Sequence, residues 1–452
     1  MSAIAAETPD RTLRATPARV CAFAVLRRVF EQDAWADRAL HGEARRLRLD
    51  PRERGLAMQL AYGAVQRRAT LDALIEALAG RSPRRLDAAV LAGLRLGLFQ
   101  LLFLDRVPAH AAVGESVELV KRDSPGGAKL VNAVLRRAAR EGRGWLAALG
   151  EETPEQAALR HSHPEWIARL WWEALGPATA RELLAAGNRP AENAIRANTL
   201  KIGAAELRER LLVGAAIQDD ALVLDGPWDA HASPEYQAGL CMPQSRAAQA
   251  VARLLGPCPG ERILDLCAAP GGKTTHLAAL ISNEGAITAV ERHAGRADAL
   301  RRTVTRMGAS CVDVRTEDAA AFDEPETYDR VLVDPPCSDL GTLAARPDAR
   351  WRKDEADPER LAVLQRRILR AGARALKPGG VLVYSTCTIS PAENERVIGR
   401  FLDEHPGFAA DDLRSDAPVW QHPSVPTCLL TLPSRDGTDG FFMARLRRTE
   451  AA

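Results

Sequence analysis

No Cys-x-x-Cys pair occurs in the 452 residues, and cysteine is rare altogether, with eight in the chain. That excludes a disulfide-stapled secreted fold and a structural zinc site built on paired cysteines. Long apolar runs are missing too. The most apolar stretch, Ala88 to Leu104, is short for a membrane span and contains Arg95 and Gln100, both costly in lipid. The first residues lack the apolar core of a secretory signal. No internal repeat or low-complexity tract interrupts the chain. What is present is an ordinary globular composition, 46% apolar, in a chain long enough for two or three domains. The expectation is a cytoplasmic protein with free thiols and no membrane partner.

The net charge of +2 conceals an asymmetry. Residues 1–145 hold 25 Lys+Arg against 16 Asp+Glu, a net of +9, whereas the remainder holds 36 against 43, a net of −7. A basic first third fits an anionic partner such as nucleic acid, and equally a solvated helical surface.

Residues 17–142 read as helices throughout. Phe23, Leu26 and Phe30 share one stripe, and Leu71, Leu74, Ile75 and Leu78 share another. Gly80 stops the second. Ser82-Pro83 predicts the start of the next, which carries Leu86, Val90, Leu94, Leu98 and Leu101. Helices over His110–Lys121 and Leu130–Arg140 follow. Near residue 190 the pattern changes: short strands over Ala194–Leu200 and Ala221–Leu224 enclose a helix over Ala204–Leu212. From about residue 261, apolar strands alternate with helices: Arg262–Leu266, Ala286–Val290, Val312–Val314, Asp329–Val333 and Val381–Ser385. That alternation predicts a parallel sheet covered on both faces. Gly440–Leu446 alternates like an added edge strand. The expected organisation is an all-α bundle over 1–145, a small α+β module over 146–240, and an α/β Rossmann-like domain over 241–452.

Ligands of open α/β sheets bind beyond the carboxyl ends of the strands, and the polar residues of interest fall there. The first strand runs into Asp265-Leu-Cys-Ala-Ala-Pro-Gly-Gly-Lys-Thr-Thr. Gly271 and Gly272 allow close backbone approach before a helix N-terminus. Cys267 stands where a phosphate-binding P-loop needs its first glycine, and the pattern is not G-x-G-x-x-G either. Such a turn suits a ligand without a pyrophosphate, such as S-adenosylmethionine. Glu291 ends the second strand, where an acid can bind ribose hydroxyls. Asp318 follows the third, where it serves either as an acceptor for an adenine amino group or as a helix cap.

The fourth strand ends in Asp334-Pro335-Pro336-Cys337 and the fifth in Ser385-Thr386-Cys387. Amino-group methyltransferases of this fold carry an aromatic residue where Cys337 stands. A thiol there points to covalent chemistry. Cys21, Cys241, Cys258, Cys311 and Cys428 read instead as small buried hydrophobes. Cytosine supplies a use for two thiols. Its carbon 5 is a weak nucleophile until a thiolate adds to carbon 6 and makes an enamine. A carboxyl group must assist at the ring nitrogen, and Asp334 is the candidate. Spacing alone does not rank the two thiols.

DLCAAPGGKTTHL (265–277), VLVDPPCSDLGTL (331–343), RPDARW (346–351), LVYSTCTISPAENE (382–395) and DGFF (439–442) closely resemble the Sun/RsmB-type RNA cytosine-5 methyltransferases. LRLGLFQLLFLDRVPAHAAVGESVELVK (94–121) and LVNAVLRR (130–137) resemble the NusB-like RNA-binding domain of one branch of that family, and IRANTLK (195–201) its linker module. The resemblance implies a monomeric enzyme that methylates one cytosine of 16S ribosomal RNA from S-adenosylmethionine, without acting on DNA. It implies that Cys387 is the nucleophile, that Cys337 assists product release, and that Asp334 takes part in catalysis. It implies a cofactor site made of Cys267, Ala268, Ala269, Pro270, Gly271, Gly272 and Lys273, completed by Glu291, Asp318 and Asp334. The chain departs from the family at Ser245, where Gln-Asp is usual, and at His293, where a second acid is frequent. Two other readings compete: a non-catalytic antitermination protein, which leaves the thiols unused, and a DNA cytosine methyltransferase, which lacks the Thr-Cys thiol.

Overall fold

The computed structural model describes residues 15–218, 221–226, 228–414 and 418–449. Residues 1–14, read above for a missing signal core, lie outside these. The chain divides into two compact units, Met1–Asn188 with Arg346–Arg352, and Arg189–Ala345 with Lys353–Ala452. Among the described residues no helix is long and apolar enough to cross a membrane.

The first unit is helical: α1 (Pro17–Glu31), α2 (Ala36–Arg46), α3 (Pro51–Gln66), α4 (Arg68–Ala79), α5 (Ala88–Phe103), α6 (Ala109–Asp123), α7 (Pro125–Ala147), α8 (Pro154–His161) and α9 (Glu165–Ala186). Helix α5 is buried along nearly its whole length. Glycines let its neighbours close on it: a Cβ at Gly97 would lie 2.4 Å from Leu135, and one at Gly93 2.2 Å from Val120. Its two polar residues are paired inside the bundle. Arg95 donates to both carboxylate oxygens of Asp72 at 2.8 and 2.7 Å, and Gln100 accepts from Arg19 Nε at 2.7 Å. The helix begins later than the Ser82-Pro83 signal predicts. Pro83–Arg85 forms a single 3₁₀ turn, Leu86 is extended, and Asp87 is the cap, its Oδ1 accepting from Ala89 N at 2.9 Å. An aspartate with two free amides ahead of it outcompetes Ser82, whose side chain makes no cap bond.

Residues 346–352 complete this unit from far along the chain. Arg350 is fully buried and donates to Ser162 O (3.1 Å), Gly187 O (2.5 Å) and Asn188 Oδ1 (3.0 Å). Trp351 Nε1 donates to Val65 O at 2.8 Å. Asp348 accepts from Ala36 N at the start of α2.

The second unit holds two sheets. The smaller is antiparallel, in the order β2-β3-β1-β4, from β1 (Ala194–Ala197), β2 (Ala215–Gln218), β3 (Ala221–Leu224) and β4 (Cys241–Pro243), with α10 (Ala204–Arg210) and α11 (Pro234–Gln237). The larger contains α12 (Arg246–Leu255), β5 (Arg262–Leu266), α13 (Gly272–Leu280), β6 (Ala286–Val290), α14 (Ala294–Met307), β7 (Val312–Arg315), β8 (Tyr328–Val333), α15 (Asp357–Ala375), β9 (Leu376–Thr386), α16 (Glu395–Glu404), β10 (Phe408–Ala410), β11 (Cys428–Leu430), α17 (Pro433–Asp436) and β12 (Phe442–Arg448). Its order is β10-β12-β9-β8-β5-β6-β7. Strands β9 to β7 pair in parallel and β12 pairs antiparallel to β9. This is the Rossmann-like arrangement expected, with one correction. Strand β12 is interior, because β10 and β11 pair along its other side. Phe442, Met443, Ala444 and Leu446 are all buried, so both faces of the strand are covered. A second correction concerns the cysteines: Cys21, Cys241 and Cys428 are buried, but Cys258 is exposed in a Pro-Cys-Pro-Gly turn and Cys311 is half-buried.

Candidate active site

The turn after β5 is bent by its own backbone. Cys267 has a positive φ of 69°, and the Ala269–Pro270 peptide is cis. Gly271 has φ 101° and a Cβ there would lie 2.8 Å from Leu300, so this position requires glycine. The first turn of α13 pins the loop: Thr274 Oγ1 donates to Asp265 Oδ2 at 2.6 Å and Thr275 Oγ1 to Gly271 O at 2.7 Å. Arg196 of β1 joins this network, donating to Thr275 Oγ1 at 3.1 Å and to Gln244 Oε1 at 2.9 Å. The small sheet thereby braces the turn. Asp265 is buried, its Oδ1 has no partner, and burial pushes its carboxyl up to about 7.

Three further acids follow the neighbouring strands β6, β7 and β8. Glu291, 4% exposed at the end of β6, accepts from His293 N at 2.8 Å and pairs with Arg296 at 3.3 Å. Asp318 is exposed and caps a short 3₁₀ turn, accepting from Ala320 N at 3.0 Å. Asp334, after β8, accepts from Lys273 Nζ at 2.7 Å and from Ser385 Oγ at 2.8 Å. Burial opposes the charge of Lys273, but the Asp334 carboxylate outweighs it, and the ammonium is held above its ordinary range.

Cys337 and Cys387 converge from the ends of β8 and β9, with Sγ atoms 3.3 Å apart. Cys387 Sγ donates to Asp339 Oδ1 at 3.1 Å, and the same oxygen is 3.9 Å from Cys337 Sγ. The hydrogen bond with Cys337, burial, and the charges of Asp339 and Asp334 push the Cys387 thiol well up. Buried Glu393 fixes the first thiol's loop. It accepts from Ser338 N at 2.8 Å and from Gln365 Nε2 at 3.0 Å. The Cys387 carbonyl accepts from Gly341 N at 3.0 Å, which ties the two loops together.

The structure therefore gathers Asp334, Cys337, Cys387 and Lys273 in one place and sets the Cys267–Gly272 turn at the neighbouring strand end. Sequence reasoning did not select Asp339, Glu393, Gln365 or Arg196. Asp339 and Glu393 lie inside the quoted motifs, Pro-Cys-Ser-Asp and Pro-Ala-Glu-Asn-Glu, where residue type alone does not single them out; in the structure Asp339 is half-buried and Glu393 buried.

The turn fits S-adenosylmethionine, a ligand with a positive sulfonium, an ammonium group and a carboxylate. Buried Asp265 has an unpartnered oxygen, Asp334 and Glu291 supply negative charge, and the α13 N-terminus offers backbone N–H groups. The Cβ position of Gly272 has no atom nearer than 3.8 Å. With this turn on a Rossmann-like sheet, the second unit defines an S-adenosylmethionine-dependent methyltransferase.

The comparisons with known proteins agree. The family described as 16S rRNA methyltransferase RsmB/F matches residues 252–447, the NusB family residues 16–140, and the ferredoxin-like domain of RsmF/B-like methyltransferases residues 163–231. A probable ribosomal RNA small subunit methyltransferase B of Synechocystis is 38% identical, over 95% of this chain and 99% of the relative. A protein named ribosomal RNA small subunit methyltransferase B from Thermus thermophilus is 35% identical, over 97% of this chain and all of the relative. The crystal structure of PH0851 superposes with a TM-score of 0.82 at 27% identity, covering 96% of this chain and 100% of that one. The chain belongs to the RsmB/F family of S-adenosylmethionine-dependent ribosomal RNA methyltransferases.

Proposed function

We propose that this protein transfers a methyl group to carbon 5 of a single cytosine in 16S ribosomal RNA, working as a cytoplasmic monomer without acting on DNA or membranes. The observation that carries the reading is the pair of thiols 3.3 Å apart at adjacent strand ends beside Asp334. S-adenosylmethionine, held by residues 267–273 with Glu291, Asp318 and Asp334, supplies the methyl group. Cys387 adds to carbon 6 and makes carbon 5 nucleophilic. Asp334 assists at the ring nitrogen, and the Lys273 ammonium, 2.7 Å from its carboxylate, is the source of the proton taken up there. Cys337 acts after methyl transfer, in release. The basic helices of residues 1–145 and the module of 146–240 hold the RNA, and 241–452 carry out the chemistry.

The test separates the thiols. Attack precedes transfer, so Cys387→Ala should abolish turnover and any covalent RNA adduct. Cys337→Ala should form the adduct and release it slowly, leaving a protein–RNA species that survives a denaturing gel. The double variant should lose that species. A persistent adduct in Cys387→Ala overturns the assignment, and a binder without catalysis forms none in any variant.

A further inference from the structure

We infer that Asp339 is the proton acceptor for the Cys387 thiol as that thiol adds to the cytosine ring. This rests on the reading of Cys387 as the nucleophile.

Asp339 holds a positive φ of 60°. Residues with a side chain pay for that conformation, and asparagine and aspartate are among the few that adopt it readily. Here it delivers a carboxylate to the thiol pair, with Oδ1 3.1 Å from Cys387 Sγ and 3.9 Å from Cys337 Sγ. Lys353, just ahead of α15, stands 3.7 Å from Oδ2 and balances the charge. The other charged groups acting on Cys387 are Asp334 and its partner Lys273. None of the roles assigned above uses the Asp339 carboxylate.

A thiol in this setting needs an acceptor. At an ordinary pKa of about 8.5, about 3% is ionised at pH 7, and each unit higher removes another factor of ten. Cys387 is pushed well above its ordinary range, in part by Asp339 itself. The carboxylate that discourages a standing thiolate is thus also the base placed to take the proton during attack.

The step balances. As the Sγ–C6 bond forms, the S–H proton passes to Asp339 Oδ1. The C5=C6 electron pair moves into the ring, and the ring nitrogen takes a proton from the Lys273–Asp334 pair. After methylation Cys337 relays the carbon 5 proton to water, and the C5–H electron pair forms C5=C6 as the Sγ–C6 bond breaks with its electrons on sulfur, to which Asp339 returns the proton. The ring nitrogen returns its own proton to the pair, so one proton is released per methyl group.

The experiment is single-turnover adduct formation on 16S ribosomal RNA carrying 5-fluorocytosine, with S-adenosylmethionine. Fluorine cannot leave as a proton does, so the adduct accumulates and its rate of formation is read directly. Asp339→Asn and Asp339→Gly both suit a left-handed turn, and unchanged cofactor affinity by calorimetry confirms that they fold. In both, adduct formation at pH 7 should slow at least about a hundredfold, the low end of a general base's contribution, and should rise with pH far more steeply than in the wild type. Iodoacetamide, which takes preformed thiolate, should alkylate Cys387 no more slowly than before, because a negative charge has been removed. Adduct formation that is unchanged or faster overturns the proposal. So does equal slowing of adduct and alkylation, which reports a displaced thiol. Failure of the underlying reading looks different: the adduct would then form in Cys387→Ala.

Discussion

Asp265 illustrates what burial does to a single acid at the head of the cofactor turn. Its carboxyl titrates near 7 in the folded chain, against about 3.9 when unfolded. Between those values the folded protein keeps a proton that the unfolded chain has released, so this group's contribution to stability falls as pH rises from about 4 to about 7. Asp265→Asn keeps an acceptor for Thr274 and never ionises. Denaturation across that range should show wild-type stability falling relative to the variant, and a constant difference would contradict the argument. Glu291→Ala removes the carboxylate proposed above to help hold the cofactor. It should weaken S-adenosylmethionine binding a few-fold to tenfold by calorimetry, and unchanged affinity would remove Glu291 from the site. Asp334, Cys337 and Cys387 were legible in the sequence because their chemistry is unusual at a strand end. Asp339 and Glu393 were not, since their importance depends on a turn conformation and on burial. Neither property is written in residue type.

At the scale of elements, close packing around α5 sets a sharp expectation. Gly97→Ala places a methyl 2.4 Å from Leu135 and should destabilise the helical unit by about 1–3 kcal/mol, measured by chemical denaturation. The identity of this helix was plain from its leucine spacing, whereas its start was not, because Ser82 and Asp87 are both good caps and only the chain's path chooses between them. The five parallel strands were legible from apolar runs that end in polar residues. Strands β2 and β4 were not: β2, AAIQ, lacks the apolar run that marks β3 at the same length, and β4 has only three residues. Strand β12 was seen but misplaced. Alternation reports which face a residue takes, and the neighbours along each edge leave no mark in it.

For the molecule as a whole, the excess of +9 over residues 1–145 predicts salt-dependent RNA affinity. Arg136 and Arg140 are exposed four residues apart on α7, along one face. Arg136→Glu with Arg140→Glu should weaken binding of 16S ribosomal RNA and flatten the dependence of log affinity on log salt, by about 0.7–0.9 for each phosphate no longer neutralised. A slope identical to wild type would place the RNA elsewhere.

Arg350 and Trp351 also set a clock. The backbone carbonyls they satisfy belong to residues 65, 162 and 187, all translated long before them. At ~5–20 residues per second, the ribosome delivers them about 8–30 s after Asn188. Throughout that interval the nascent helices wait with part of their interior unfinished. Chains arrested upstream of residue 346 should therefore be cut within the helices more readily by protease than chains arrested well beyond residue 352, since cleavage tracks the population of open forms. For this protein, maturation of the first half is scheduled by synthesis of the second.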